Sequence, residues 1–457
     1  MGMGGKRESN PLPGQSSGTS ERFSSKGFIL AAIGSSVGLG NMWKFPYITG
    51  KYGGAAFFLL FIVCLIVVGL PILLAEMTIG RGGRGNAATS FYRLSGNKYW
   101  SAFGLLSVLT AFLIMSYYAV VAGWTLHYTV ESFSGSLFRA GLDYKSKFAG
   151  FAGSYLPLFW QAVVMAICGW VLARGVSGGI EAFNKILIPG FFLILVVLMI
   201  RSLTLPGAGE GVTFFLRPDF GKLNAESALV ALGHAFFSMS LGMGCMLTYG
   251  SYVDPRQSLG GASLAIGAGD LLYAFIAGLV IFPTVFSFGL EPGEGVGLAF
   301  MALPAAFAKM PFGFLFGGLF FLLLAIAALT SAISILEVPI AYAMTRWSWS
   351  RKRAALIVSV FCFLVGVPSA LSVGGVLDFF RPGGKTYFDW TDFMTAYVLM
   401  PLGGLVVTLF TGYAWKRAGE EAGLSGFWYA AWMTLLRFVS PVLIVLVFLY
   451  SVGLIRF

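Results

Sequence analysis

The feature that most constrains this chain is a succession of apolar stretches near twenty residues, separated by short polar segments. About 20 helical residues cross a hydrocarbon core roughly 30 Å thick, and in that solvent backbone N–H and C=O groups must be satisfied within a helix or a closed barrel. Allowing the longer runs to tilt, about eleven helices are predicted, over 26–48, 54–79, 101–130, 154–173, 182–203, 228–252, 262–289, 313–344, 354–373, 390–416 and 428–454. The chain is 57% hydrophobic and only 11% charged, against about a quarter charged in soluble domains. Soluble, fibrous and disordered classes are excluded. Two His residues, Tyr and Trp near helix ends, and no alternating ten-residue pattern favour helices over an outer-membrane barrel. The expected fold class is an all-α polytopic membrane protein.

The net charge of +11 is not gathered into a basic domain, which argues against a nucleic-acid partner. It reads instead as topology. Clusters such as Arg81, Arg84, Arg93, Lys98 and Arg351, Lys352, Arg353 fall on one side, and the positive-inside rule makes that side and the N-terminus cytoplasmic. Met1–Ser20 is rich in Gly, Ser and Pro, lacks the apolar core of a cleaved signal peptide, and reads as a disordered tail. Segment 296–308 is too short to span and reads as a re-entrant or interfacial hairpin on a loop. Cys64, Cys168, Cys245 and Cys362 all lie in apolar runs, without zinc spacing, and read as buried thiols.

Ser36-Val37-Gly38-Leu39-Gly40 in the first helix is echoed by Ser240-Leu241-Gly242-Met243-Gly244 in the sixth. Five helices separate the copies, and an odd number reverses direction across the membrane. Helices 1–5 and 6–10 therefore read as inverted repeats with broken helices 1 and 6. The resulting organisation is a cytoplasmic tail at 1–24, repeats at 25–204 and 228–416, an extracellular loop at 205–227, and helix 11 with the C-terminus at 417–457. Simple helix packing through small residues is the alternative, but its period is GxxxG rather than GxG.

A helix broken at membrane depth is tolerated where its freed groups line a cavity. Carbonyls at one half-helix end suit a cation, and amides at the other suit a carboxylate. A zwitterion with a hard monovalent cation is the natural guest. Gly34 to Asn41, Ser238 and Thr330-Ser331 concentrate neutral oxygens near the breaks, the donor type that hard cations take. Three acids, Glu76, Asp270 and Glu337, lie within apolar helices, and an intramembrane carboxylate is a functional candidate. Asp270 is the most informative; Glu76 and Glu337 read as groups that bond exposed helix-terminal amides or tie helices together. No catalytic constellation is evident: His127 and His234 lack a nucleophilic partner, and neither H-E-x-x-H nor a Walker loop occurs.

Gly27 to Pro46 (GFILAAIGSSVGLGNMWKFP), Ser116-Tyr117-Tyr118 to Trp124, Ala235 to Gly242 and Ala327 to Ser331 together resemble the neurotransmitter:sodium symporter family, in particular its bacterial amino-acid transporters. The resemblance runs through helices 1 to 10. It implies two sodium ions: one held by Ser36, Asn41, Ser238, Asp270 and the substrate carboxylate, the other by Gly34, Val37, Ala327, Thr330 and Ser331. It implies a substrate site formed by Ser35, Ser36, Leu39, Gly40, Ile114, Tyr118, Phe237, Ser238, Ser240, Met243, Ser331 and Ile335. Tyr118 and the Leu39 and Gly40 amides would hold the carboxylate, Phe237 would lid the pocket, and Lys44 with Asp392 would form the outer gate.

Several positions depart from the family pattern. Gly38 stands where monoamine carriers have an Asp, which points to an amino acid bringing its own carboxylate. Met243 replaces a commonly aromatic pocket residue. The inner latch of Arg and Trp with an Asp is not reproduced: Arg22 and Phe23 are near, but Thr345 stands at the acid's position. Gly179 and Pro189 resemble a spacing linked to opening of helix 5. Chloride-dependent relatives have Asn at the position of Asp270, and Ala274 offers no anion ligand. The function implied is a sodium-coupled, chloride-independent symporter of the cell membrane that imports a neutral, hydrophobic L-amino acid by alternating access; it is not an enzyme. A channel or amino-acid sensor on the same scaffold is the rival class, separable by uphill accumulation, and a membrane enzyme would betray itself by covalent turnover.

Overall fold

The computed structural model describes residues 22–139, 141–290, 298–378 and 381–455. All but the last three residues of the expected tail, 1–24, lie outside it. In chain order, α1 is a broken helix, Ser25–Ser36 continued by Gly40–Lys44 and Phe45–Lys51. Then follow α2 (Ala55–Gly83), α3 (Lys98–Phe133), α4 (Leu156–Ala173) and α5 (Val176–Leu203). The second broken helix, α6, comprises Ala225–Ser238 and Cys245–Ser251. The remainder are α7 (Leu259–Ser287), α8 (Gly313–Trp347), α9 (Arg351–Ser372), α10 (Tyr387–Ala414) and α11 (Gly426–Ser451). Among the described residues nine helices are long and apolar enough to cross a membrane; α1 and α6 are too interrupted to count among them, and they complete the eleven.

The first and sixth helices break for a local reason. In α1 the Gly38 N–H turns back to the Ser36 carbonyl at 2.9 Å and Val37 takes ψ 68°, so the i to i−4 ladder stops there. In α6 three residues adopt positive φ: Ser240 at 54°, Gly242 at 79° and Gly244 at 78°. Glycine adopts that conformation without steric cost, whereas serine does so under strain. Gly242 is also required by space, since a Cβ there would sit 2.1 Å from the Met400 carbonyl oxygen.

Close approach of backbones joins the two halves. A Cβ on Gly80 of α2 would lie 1.9 Å from the Leu247 carbonyl oxygen, and one on Gly250 of α6 would lie 2.6 Å from that of Met77. Packing through small residues is how helices associate in lipid. The outer surface carries large apolar side chains as well: Ile186, Leu193 and Ile200 of α5 form an exposed stripe at a spacing of seven, a surface suited to hydrocarbon rather than water. By contrast α8 is enclosed by its neighbours, chiefly α3.

Two segments differ most from the sequence reading. Helix α5 starts at Val176 rather than 182; Ser177, Gly178 and Gly179 look like loop, but Gly179 is needed because a Cβ would meet the Val171 carbonyl oxygen at 2.1 Å. Of segment 296–308 only residues from 298 are described, and Leu303–Ala308 is a short helix, not a hairpin. Phe300 packs edge-on against Tyr128 of α3 and Phe307 packs at a tilt against Phe320 of α8, so apolar side chains are used to cover the bundle rather than to enter lipid. Cys168, Cys245 and Cys362 are buried, while Cys64 is only partly so.

Candidate transport site

The two breaks face each other, and a small cavity of about 20 Å³ lies between them and α3 and α8. All twelve residues that the sequence resemblance grouped, Ser35, Ser36, Leu39, Gly40, Ile114, Tyr118, Phe237, Ser238, Ser240, Met243, Ser331 and Ile335, line it, and Gly38 is the thirteenth. Ser240 fixes the breaks to one another: its hydroxyl donates to the Ser35 carbonyl at 3.0 Å. The Ser35 hydroxyl is 2.7 Å from that of Ser334. The Tyr118 hydroxyl is buried and has no hydrogen-bond partner among the described residues, and it lies 3.5 Å from where a Gly38 Cβ would be. A buried donor beside the α1 break, with nothing to donate to, suits a carboxylate.

Beside this cavity, Asp270 in the middle of α7 is fully buried. Its Oδ1 accepts from the Asn41 side-chain amide at 2.7 Å and from the Ser238 hydroxyl at 2.7 Å. Its Oδ2 is buried without a partner among the described residues. That rules out a carboxylate snorkelling to the rim and leaves an acceptor able to take a cation, one of the arrangements in which a buried carboxylate is compensated. Ser36 is the exception in its group: its hydroxyl turns back to the Ile33 carbonyl at 3.1 Å and joins no bond to Asp270, because a serine in a helix readily bonds its preceding turn.

On the other side of the α1 break, Ser331 donates toward the Gly34 and Ser35 carbonyls at 3.3 and 3.2 Å. Thr330 Cβ is 3.3 Å from the place a Gly34 Cβ would occupy, and its hydroxyl bonds Ile326 and Ala327 carbonyls at 3.1 Å each. Gly34, Ala327, Thr330 and Ser331 thus offer backbone and hydroxyl oxygens across one α1–α8 contact, a donor set suited to a hard cation, and Val37 is buried at the break itself.

Above the cavity, the Phe237 ring covers Gly40, where a Cβ would be 2.8 Å from the ring edge. Lys44 Nζ stands 4.4 Å from the centre of that ring and 3.6 Å from Asp392 Oδ1. Tyr117, to which the sequence motif assigns no role, also donates to Asp392 at 3.0 Å. Beyond Phe237 lies an outer cavity of about 280 Å³.

The other two acids tie structure together. Glu76 of α2 accepts the Gly242 N–H at 2.7 Å, capping the broken α6. Glu337 of α8 takes a bidentate contact from Arg351 at 2.9 to 3.0 Å and the Tyr252 hydroxyl at 2.6 Å. Arg351 is therefore more than a topological charge. At the same end, Ser24 donates its N–H and hydroxyl to Glu181 of α5 at 2.9 and 2.5 Å, and Phe23 packs edge-on against Tyr249. Neither contact was legible in sequence, because Glu181 sits in what reads as a loop.

The family model described as the sodium:neurotransmitter symporter family matches residues 20–145 and 155–456. The chain belongs to the sodium:neurotransmitter symporter family. It is 42% identical to the sodium-dependent transporter YhdH of Bacillus subtilis over 443 residues, covering 94% of this chain and 97% of that one. A sodium- and chloride-dependent GABA transporter of Drosophila melanogaster is 28% identical, over 81% of this chain and 44% of that one. The crystal structure of MhsT in complex with L-phenylalanine superposes with a TM-score of 0.88 at 45% identity, covering 95% of this chain and 100% of that one. This symporter is thus a sodium-using, multi-pass membrane transporter of a small molecule, with the broken-helix fold of its family.

Proposed function

We propose that this symporter couples two sodium ions to the import of a neutral, apolar L-amino acid by alternating access, without chloride, in a bacterial plasma membrane with its N-terminus cytoplasmic. The observation that carries the reading is the pairing of two unpartnered buried groups, Tyr118 hydroxyl and Asp270 Oδ2, beside one cavity at the α1 and α6 breaks. The substrate carboxylate would take the Tyr118 hydroxyl and the Leu39 and Gly40 amides. Sodium in the first site would lie among Ser36, Asn41, Ser238, Asp270 and that carboxylate; the second ion would lie among Gly34, Val37, Ala327, Thr330 and Ser331.

Asp270 supplies the fixed charge that removes the need for an anion. Two unit charges 4 Å apart interact by about 4 kcal/mol at an effective dielectric of 20, so two sodium ions against one substrate carboxylate need a further negative group. Ile114, Met243 and Ile335 give the side-chain end of the cavity apolar, adaptable walls, and the likeness to MhsT, solved with L-phenylalanine, favours an apolar side chain. Residues 25–204 and 228–416 act as the two inverted repeats, rocking around the site. The test is competition binding by all twenty amino acids on purified protein in sodium and in choline. Tight, sodium-dependent binding of apolar amino acids is expected; binding that is equal in choline, or confined to charged amino acids, would overturn the reading.

A further inference from the structure

Asn184 of α5 is fully buried in a span of mean hydropathy 2.5, and no part of the substrate or sodium chemistry described above uses it. Its Nδ2 donates to the Ile180 carbonyl at 2.9 Å, four residues back in its own helix. Its Oδ1 has no hydrogen-bond partner among the described residues. That oxygen is aimed out of α5 at α1: a Cβ built on Gly34 would lie 2.3 Å from it, and Thr330 Cβ lies 3.3 Å from the same point. A buried oxygen with free lone pairs therefore enters the contact where Gly34 of α1 meets Thr330 of α8.

A residue serving only to pack this interface would be apolar, like its neighbour Ile188, whose Cδ1 lies 3.1 Å from the same point. An amide oxygen left unpaired in such a place is destabilising on its own. Carbonyl-type oxygen is the donor that a hard cation takes in preference to nitrogen or sulfur. The basic side chain nearest in sequence, Lys185, does not serve it, being paired with Glu181 at 2.5 Å.

We propose that Asn184 is a further ligand of the second sodium ion, offering its carboxamide oxygen from α5. The inference rests on the reading of Gly34, Val37, Ala327, Thr330 and Ser331 as that ion's site. It makes α5 a third helix that senses the ion beside α1 and α8. It also explains why position 34 is glycine: any side chain there would displace the oxygen.

The test is binding of radioactive sodium to the purified full chain without amino acid, comparing wild type with Asn184→Leu, Asn184→Asp and Thr330→Ala. Asn184→Leu keeps bulk and removes the oxygen, and should raise the half-saturating sodium concentration about fivefold, the scale of one lost polar interaction. Asn184→Asp keeps an oxygen in place and should bind at least as tightly as wild type. Melting temperature in choline and in sodium separates ligand from scaffold: a ligand's loss shrinks the sodium-dependent increment, whereas a scaffold defect lowers both values together. If Asn184→Leu does not elute as a single species, Asn184→Ala carries the same expectation. Weakened sodium binding in Thr330→Ala with wild-type binding in Asn184→Leu would overturn the role of Asn184 and leave the site standing. Wild-type binding in both would remove the underlying site as well.

Discussion

Asn41 donates its side-chain amide to Asp270 Oδ1 at 2.7 Å, and this bond joins the broken centre of α1 to the middle of α7. Ser238 from α6 bonds both residues, at 2.7 Å each. Three helices from the two halves of the chain thus meet on one carboxylate, whose second oxygen has no partner among the described residues.

Replacing chloride with gluconate should leave sodium-driven uptake by the wild type unchanged if Asp270 carries the compensating charge. Asp270→Asn keeps the acceptor for Asn41 and Ser238 but removes that charge, so it should weaken sodium affinity and make residual uptake respond to chloride. Wild-type uptake that needs chloride, or an Asn variant with unaltered sodium affinity, would remove Asp270 from this role.

Tyr118→Phe should leave folding intact, since the hydroxyl bonds nothing among the described residues. It should weaken amino-acid binding roughly 10-fold to 100-fold, as a hydrogen bond to a charged group is worth about 1.5–3 kcal/mol. Equilibrium binding by the detergent-purified variant measures this; a change under twofold would contradict the carboxylate's placement.

Glu76 accepts the Gly242 N–H at 2.7 Å inside the protein, so Glu76→Ala should leave that amide unsatisfied at a cost of about 1–3 kcal/mol. Glu76→Gln retains an acceptor. The Ala variant should melt well below the wild type and the Gln variant between them, with sodium selectivity unchanged in both. Equal melting of Ala and Gln variants would show that the cap is dispensable.

Lys44 and Asp392 are 20% and 25% exposed, 3.6 Å apart. A pair still reached by water contributes only about 0–1 kcal/mol, enough to bias a gate without locking it. Asp392→Asn, which can still accept from Tyr117, should slow uptake while equilibrium sodium binding stays within about twofold. Wild-type transport rates at saturating substrate and sodium would count against the gate.

The sequence made the membrane class, the eleven helices and the two breaks legible, because length, apolar content and the S-x-G-x-G echo of Ser36 and Ser240 follow from local physics. The grouping of twelve cavity residues came through resemblance, and the geometry brings all of them together. What stayed hidden depends on partners distant in sequence. Glu181 falls just outside the predicted span 182–203, and its bond to Ser24, 157 residues away, has no local signature. Asn184 is one polar residue in an apolar run; only the gap at Gly34 reveals where its oxygen points. Tyr117 was overshadowed by Tyr118, since neither helical spacing nor composition says which face of α3 meets Asp392.

The central claim, that sodium drives uphill import of an apolar amino acid through this site, is tested most directly by uptake into proteoliposomes. L-phenylalanine, L-leucine and L-tryptophan should be tried with sodium outside and potassium inside. The account predicts accumulation above the external concentration for at least one of them, abolished when a sodium ionophore dissipates the gradient. Accumulation that is equal with potassium or choline outside, or flux that only equilibrates the amino acid, would contradict it.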